Sequence, residues 1–162
     1  MTEVLLSLGS NIEPKRHLDL AVAELRQQFP GLRVSGYYRT VAVGFDGEDF
    51  LNAAVAIDTE MPALQLNAWL HALEDRHGRR RDGPRFSSRT LDIDIVYYGD
   101  QVLSGPHNLQ IPREDVRHAF VLAPLAEIAP DFVDPERRLT LAAMWQQHPA
   151  FETVLPQCAN SA

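Results

Sequence analysis

The chain has 162 residues, 45% of them hydrophobic and 23% charged, which suits one globular domain over residues 1–162 that buries its apolar surface without disulfides or structural metal. A formal net charge of −7 argues against a broad basic surface for nucleic acid. The lone cysteine, Cys158, excludes an internal disulfide, the six histidines lack zinc spacing, and the N-terminal MTEVLLSLGSNIEPK has too short an apolar run for a signal peptide or membrane span, so a cytoplasmic location is expected.

Residues 2–9 read as a first strand, stopped by Gly9-Ser10-Asn11. Residues 14–29 read as a helix: Leu18, Ala21, Val22, Leu25 and Phe29 recur at helical spacing, and Pro14 fits the first turn. Residues 32–43 form a second strand, with Val34, Tyr38 and Thr40 in alternation, and residues 50–59 form a third. A second helix spans 62–77, with Leu66, Trp69, Leu70 and Leu73 on one face and Gly78 as its cap. An Arg-rich loop leads into a last strand, RTLDIDIVYYGD, closed by Gly99-Asp100. The order β-α-β-β-α-β predicts an α+β, ferredoxin-like sandwich with helices on one face of an antiparallel sheet. Short helical pieces are expected around 115–116, 121–128 and 140–147, and a mobile tail beyond about residue 156.

Asp92 and Asp94 lie two apart on the last strand, so both carboxylates point to one face while Leu91, Ile93 and Ile95 point to the core. Like charges this close repel, and a divalent cation relieves that repulsion; Mg²⁺ is commonly held by one or two carboxylates together with water and phosphate oxygens. The plainer alternative is an amphipathic strand with a solvated polar face. The preceding loop holds five arginines between positions 79 and 89, the counter-charge that phosphoryl transfer needs; the alternative there is a solvated basic turn. Phe86 within it either covers a base or anchors the loop. On the third strand, Phe50, Asn52, Ala54 and Ala56 share a face opposite Leu51, Ala53, Val55 and Ile57. Phe50 and Asn52 suit a flat heterocycle that stacks and hydrogen-bonds, or form a partly covered sheet face with an incidental amide.

Gly9-Ser10-Asn11, Tyr38-Arg39-Thr40, Phe50-Leu51-Asn52-Ala53-Ala54-Val55, Gly78-Arg79, Arg89-Thr90-Leu91-Asp92-Ile93-Asp94-Ile95, Ile111-Pro112, Ala119-Phe120-Val121-Leu122-Ala123-Pro124-Leu125 and Glu127-Ile128-Ala129-Pro130 stand in this order. Together they resemble the 6-hydroxymethyl-7,8-dihydropterin pyrophosphokinases, from about residue 3 to residue 130. The resemblance implies transfer of the pyrophosphoryl group of ATP to the pterin hydroxymethyl oxygen, releasing AMP. It implies two Mg²⁺ ions on Asp92 and Asp94, and Asn52 reading a pterin held between Phe50 and Phe120. Thr40 and Val43 would line that pocket through their backbone. Glu74, Arg81, Phe86, Arg89, Ile95 and Arg113 would face ATP, with Arg79 and Arg89 acting on the phosphates. Loops 44–49 and 79–88 would close over the substrates and exclude water. The expected partners are these two small molecules, with no nucleic acid and no membrane, and the expected state is a monomer.

Some positions depart from the family pattern. Phe86 replaces a common Trp, Asp82 a frequent basic residue, Arg113 a common His followed here by Glu114, and His118 a frequent Arg. All lie on the nucleotide side. They leave a second reading open, a pterin-binding paralogue with altered nucleotide use. A third, a nucleic-acid module built on the Arg loop, conflicts with the negative charge.

Overall fold

The structure, a computed structural model, describes residues 1–40, 49–78, 91–151 and 157–158. Its elements are β1 (Thr2–Ser10), α1 (Pro14–Gln28), β2 (Arg33–Val34), β3 (Tyr37–Thr40), β4 (Phe50–Thr59), α2 (Ala63–Arg76), β5 (Asp92–Tyr98), β6 (Leu103–Gly105), β7 (Leu109–Ile111), a 3-10 turn (Glu114–Arg117), α3 (Ala119–Ile128), α4 (Leu141–Gln146) and β8 (Gln157–Cys158). The main sheet runs β5-β1-β4-β3-β8, with β2 also on β4, and its pairings are antiparallel.

One face of the sheet is dry along its length. Val4, Leu6, Leu8, Leu51, Ala53, Val55, Ile57, Ile93 and Ile95 pack there against Leu18, Ala21, Val22 and Leu25 of α1 and Leu66, Leu70 and Leu73 of α2. The apolar spacing read in the two helices is therefore their buried stripe. The other face is divided. Leu5, Ala54, Ala56 and Tyr97 pack under Val121, Leu122 and Leu125 of α3 and Leu141 and Met144 of α4. The end that carries Asp92, Asp94, Gly9, Asn52 and Thr40 lies outside that second cluster.

The expected second strand is broken. Val34 pairs with Val55 and packs on the helical core, whereas Tyr38 pairs with Asn52 and lies on the opposite face. Ser35-Gly36 inserts between β2 and β3 and flips the alternation. Ser35 fills the gap itself: its amide donates to the Ala54 carbonyl at 2.9 Å, and its hydroxyl accepts the Ala54 amide at 2.9 Å. β8 pairs with Tyr37 and Tyr38, and β6 with β7 in a separate hairpin; neither appears in the sequence reading. The 3-10 turn, α3 and α4 stand where short helical pieces are expected. The mobile tail concerns residues that lie mostly outside the described ones. No helix among the described residues is long and apolar enough to cross a membrane.

Candidate active site

Register assembles the open end. Gly9 pairs with Asp92 on one side and Asn52 on the other, Asn52 pairs with Tyr38, Ser7 joins Asp94 to Ala54, and Thr40 pairs with Phe50. Paired residues share a face, so two acids, an amide, a hydroxyl and an aromatic ring lie on one surface. Gly9 keeps its centre low. A Cβ at Gly9 would stand 3.3 Å from Asn52 Oδ1 and 3.9 Å from Phe50 Cδ1, closer than a side chain tolerates without moving the amide. Sequence reading places Gly9 only at a strand end; its position between acid and amide needs the register.

Asn52 is buried, and its Nδ2 donates to Thr40 Oγ1 at 2.9 Å. Thr40 thus fixes the amide through its side chain, where sequence reading expects a backbone contribution. Next to Asn52, the Tyr38 hydroxyl donates to Glu127 on α3, and Glu127 Oε2 accepts the Gly36 amide at 3.1 Å. Burial first, then the bond to Glu127, pushes the Tyr38 phenol well above its ordinary range, so it remains a donor. Tyr38 and Glu127, which the sequence reading leaves without a role, tie the pterin-type strand to the roof of the closed end. Phe120, on the first turn of α3, is half-buried and stacks on His118 with ring centroids 5.1 Å apart and planes 8° apart.

Asp92 and Asp94 are partly exposed on β5, an edge strand of the sheet. Behind them, Glu74 is 3% exposed and accepts the Ile93 amide at 2.7 Å. An unpaired edge amide is costly when buried, and this bond fixes the residue between the two acids. The expected nucleotide contact of Glu74 is thus corrected: its carboxylate holds the strand. Ile95 is corrected likewise. Its side chain is 2% exposed within the helical core, so only its backbone can reach a nucleotide. Val43, Arg79, Arg81, Phe86 and Arg89, with Asp82, lie outside the described residues.

Arg113 reaches the acids from the segment after β7. Its amide donates to the Val96 carbonyl at 3.1 Å, and its guanidinium donates to the Asn108 carbonyl at 3.1 Å. The guanidinium also stands 3.5 Å from Asp115 and 3.9 Å from Asp94 Oδ2. Arg113 lines a cavity of about 440 Å³ with Leu103, Ser104, Gln110, Pro112 and Arg137. Among the described residues, no group of three or more His, Cys, Asp or Glu side chains is arranged to hold a metal ion. A cation bound here would therefore take two carboxylates and complete its shell from water and phosphate oxygens, which fits Mg²⁺ better than zinc or an all-protein calcium cage.

Residues 5–130 match the family model described as 7,8-dihydro-6-hydroxymethylpterin-pyrophosphokinase. A 2-amino-4-hydroxy-6-hydroxymethyldihydropteridine pyrophosphokinase of Methylorubrum extorquens is 45% identical over 139 residues, covering 82% of this chain and 86% of that protein. One from Synechocystis sp. is 37% identical over 147 residues, covering 88% of this chain and 74% of that protein. The wild-type HPPK-DHPS structure of Plasmodium falciparum superposes with a TM-score of 0.65 at 14% identity, over 90% of this chain and 44% of that one. This chain thus spans less than half of that longer protein, and the likeness is one of fold.

Proposed function

The chain belongs to the 7,8-dihydro-6-hydroxymethylpterin-pyrophosphokinase family, and from that premise we propose how its residues divide the work. The enzyme is an ATP-dependent diphosphotransferase that moves the pyrophosphoryl group of ATP to 6-hydroxymethyl-7,8-dihydropterin, in folate biosynthesis. The observation that carries the site assignment is the row Asp92, Gly9, Asn52 across three paired strands. It sets metal-type ligands one strand away from a heterocycle-reading amide, about 10 Å across the sheet.

In this reading Asn52, oriented by Thr40, hydrogen-bonds the edge of the pterin. Phe50 stacks on its ring, and Phe120, with His118 at its back, closes the other side. Val43 lines the same pocket. Asp92 and Asp94 hold two Mg²⁺ ions, which when bound neutralise the triphosphate and lower the charge on the acceptor oxygen. Placing that oxygen in line with the phosphorus is then the task of the rigid strand, pinned by Glu74 from behind. Nucleotide enters the cavity beside Arg113, with the backbone of Ile95 at its floor. Arg79, Arg81, Phe86 and Arg89 complete the phosphate and base contacts. No covalent intermediate on the protein is required, because positioning and charge suffice for phosphoryl transfer.

The strand order β5-β1-β4-β3, with α1 and α2 on one face, supports a ferredoxin-like sandwich elaborated by C-terminal helices, working as one domain. A cytoplasmic monomer without nucleic-acid or membrane partners is consistent with the negative charge. The direct test is AMP release from Mg·ATP with hydroxymethyldihydropterin as acceptor. Pterin-dependent AMP is expected; AMP formation that ignores the pterin, or none at all, overturns the reading.

A further inference from the structure

We infer that Arg113 is a resident counter-cation of the Asp92/Asp94 pair, one that disfavours metal arriving alone and favours metal arriving with nucleotide. The inference rests on the metal reading above and adds an order of filling to it.

The guanidinium does not depend on Asp94 for its place. Val96 holds its backbone, Asn108 takes one terminal nitrogen at 3.1 Å, and Asp115 stands 3.5 Å from the other. Nε lies 3.9 Å from Asp94 Oδ2, too far for a hydrogen bond. The attraction is therefore through charge alone, between side chains 15% and 27% exposed. Nε itself is buried and, among the described residues, makes no hydrogen bond. A buried donor left unpaired is unfavourable and needs an explanation. A phosphate oxygen entering the cavity that Arg113 lines supplies the missing acceptor.

Two effects of opposite sign follow. A divalent ion binding by itself must approach an acid that already has a positive neighbour. A divalent ion carried by a triphosphate arrives with net negative charge and a hydrogen-bond acceptor. Arginine thus penalises the first and rewards the second.

The test is binding without turnover. Free Mn²⁺ is titrated with protein and followed by its electron paramagnetic resonance signal, and a non-hydrolysable ATP analogue with Mg²⁺ is titrated by calorimetry. Arg113→Gln should bind Mn²⁺ alone about three- to tenfold more tightly, the scale of one screened charge near 4 Å. It should bind the Mg²⁺ analogue about tenfold or more weakly, through loss of a charge-assisted bond. Arg113→Lys, which keeps the charge but not the fork, should leave Mn²⁺ affinity near wild type and weaken the analogue. If both ligands weaken together in Arg113→Gln, the residue is merely structural and the inference is overturned. So it is if Arg113→Lys behaves as Gln does towards Mn²⁺. If wild type binds no Mn²⁺, or Asp94→Ala binds it as well as wild type, the metal reading itself fails and takes this inference with it.

Discussion

Two carboxylate sites occupy the same side of one molecule and solve opposite problems. At the closed end Asp134 is fully buried. It accepts the Tyr97 hydroxyl at 2.5 Å, the amides of Glu136 and Arg137 at 2.8 Å each, and the Arg137 guanidinium at 3.0 Å. Burial alone would raise its pKa, but these hydrogen bonds outweigh it and hold the carboxyl below its ordinary value. At the open end Asp92 and Asp94 stand side by side on a strand, partly exposed, with a positive charge 3.9 Å from one of them. The closed end brings its donors from within. The open end concentrates negative charge where a ligand can reach it. The difference between a structural acid and a functional one therefore lies in where the compensating donors come from.

The sharpest way to break this comparison is to remove an acid from each end. Asp94→Ala should lower the rate of AMP formation by about a thousandfold or more, since it deletes one of two ligands for the charge-neutralising ions. Its thermal stability should stay level or rise, because a like-charge neighbour is gone. A turnover within tenfold of wild type, measured by AMP release, would show that the open end is only a solvated face.

Leu125→Ala probes the roof of the closed end. Leu125 is fully buried among Leu5, Tyr97 and the α3–α4 contacts. Its truncation should cost about 2–5 kcal/mol, a fall of roughly 5–15 °C in melting temperature for a chain of this size. Below that transition the folded protein should keep most of its activity. A large loss of activity in fully folded protein would mean that α3 sets the site geometry more tightly than the division into two ends allows. Gly9→Ala should act in the opposite sense. The new methyl meets Asn52 Oδ1 at 3.3 Å, so the amide must shift. Pterin KM should rise about tenfold, the scale of one disturbed hydrogen bond, with KM for ATP and stability little changed.

Much of this arrangement is legible in the sequence. β4 is read at its observed bounds because ten residues alternate cleanly and are framed by polar turns. The aspartate pair is read because two residues two apart on a strand must share a face. What escapes reading is long-range or depends on one residue. The break at Ser35-Gly36 inverts the face of the second strand, and alternation alone cannot announce it, because a serine hydroxyl stands in for a backbone acceptor. The β6-β7 hairpin has strands of three residues and a turn through His107 and Asn108 at φ 61° and 63°, too short for periodicity to register. Glu74 looks like one more polar residue near a nucleotide-binding loop, and only packing shows its carboxylate on the Ile93 amide. The approach of Arg113 to Asp94 joins segments 19 residues apart in number and depends on how the hairpin folds back.

The smallest effect, and the most specific to the closed end, is in the dependence of stability on pH. A carboxyl whose folded pKa lies below its unfolded value stabilises the fold above the unfolded value and loses that contribution as pH falls through the folded one. The ordinary value for Asp134 is 3.8 and its shift is downward. Its contribution should therefore be complete from about pH 5 upward and fade below 3.8. Chemical denaturation of wild type and Asp134→Asn should show a stability gap that is constant from neutral pH to about pH 5 and narrows in more acidic solution. Tyr97→Phe removes one of the donors that produce the downward shift. It should reduce the neutral-pH gap by about 1 kcal/mol or more, the scale of a hydrogen bond to a charged group, and move the acid limb to higher pH. Asp94→Asn should show no comparable gap, because its charge is matched only when ligand is bound. If adding Mg²⁺ and a non-hydrolysable ATP analogue opens such a gap for Asp94→Asn while leaving that of Asp134→Asn unchanged, the two acids are separated by the source of their donors, as the geometry requires.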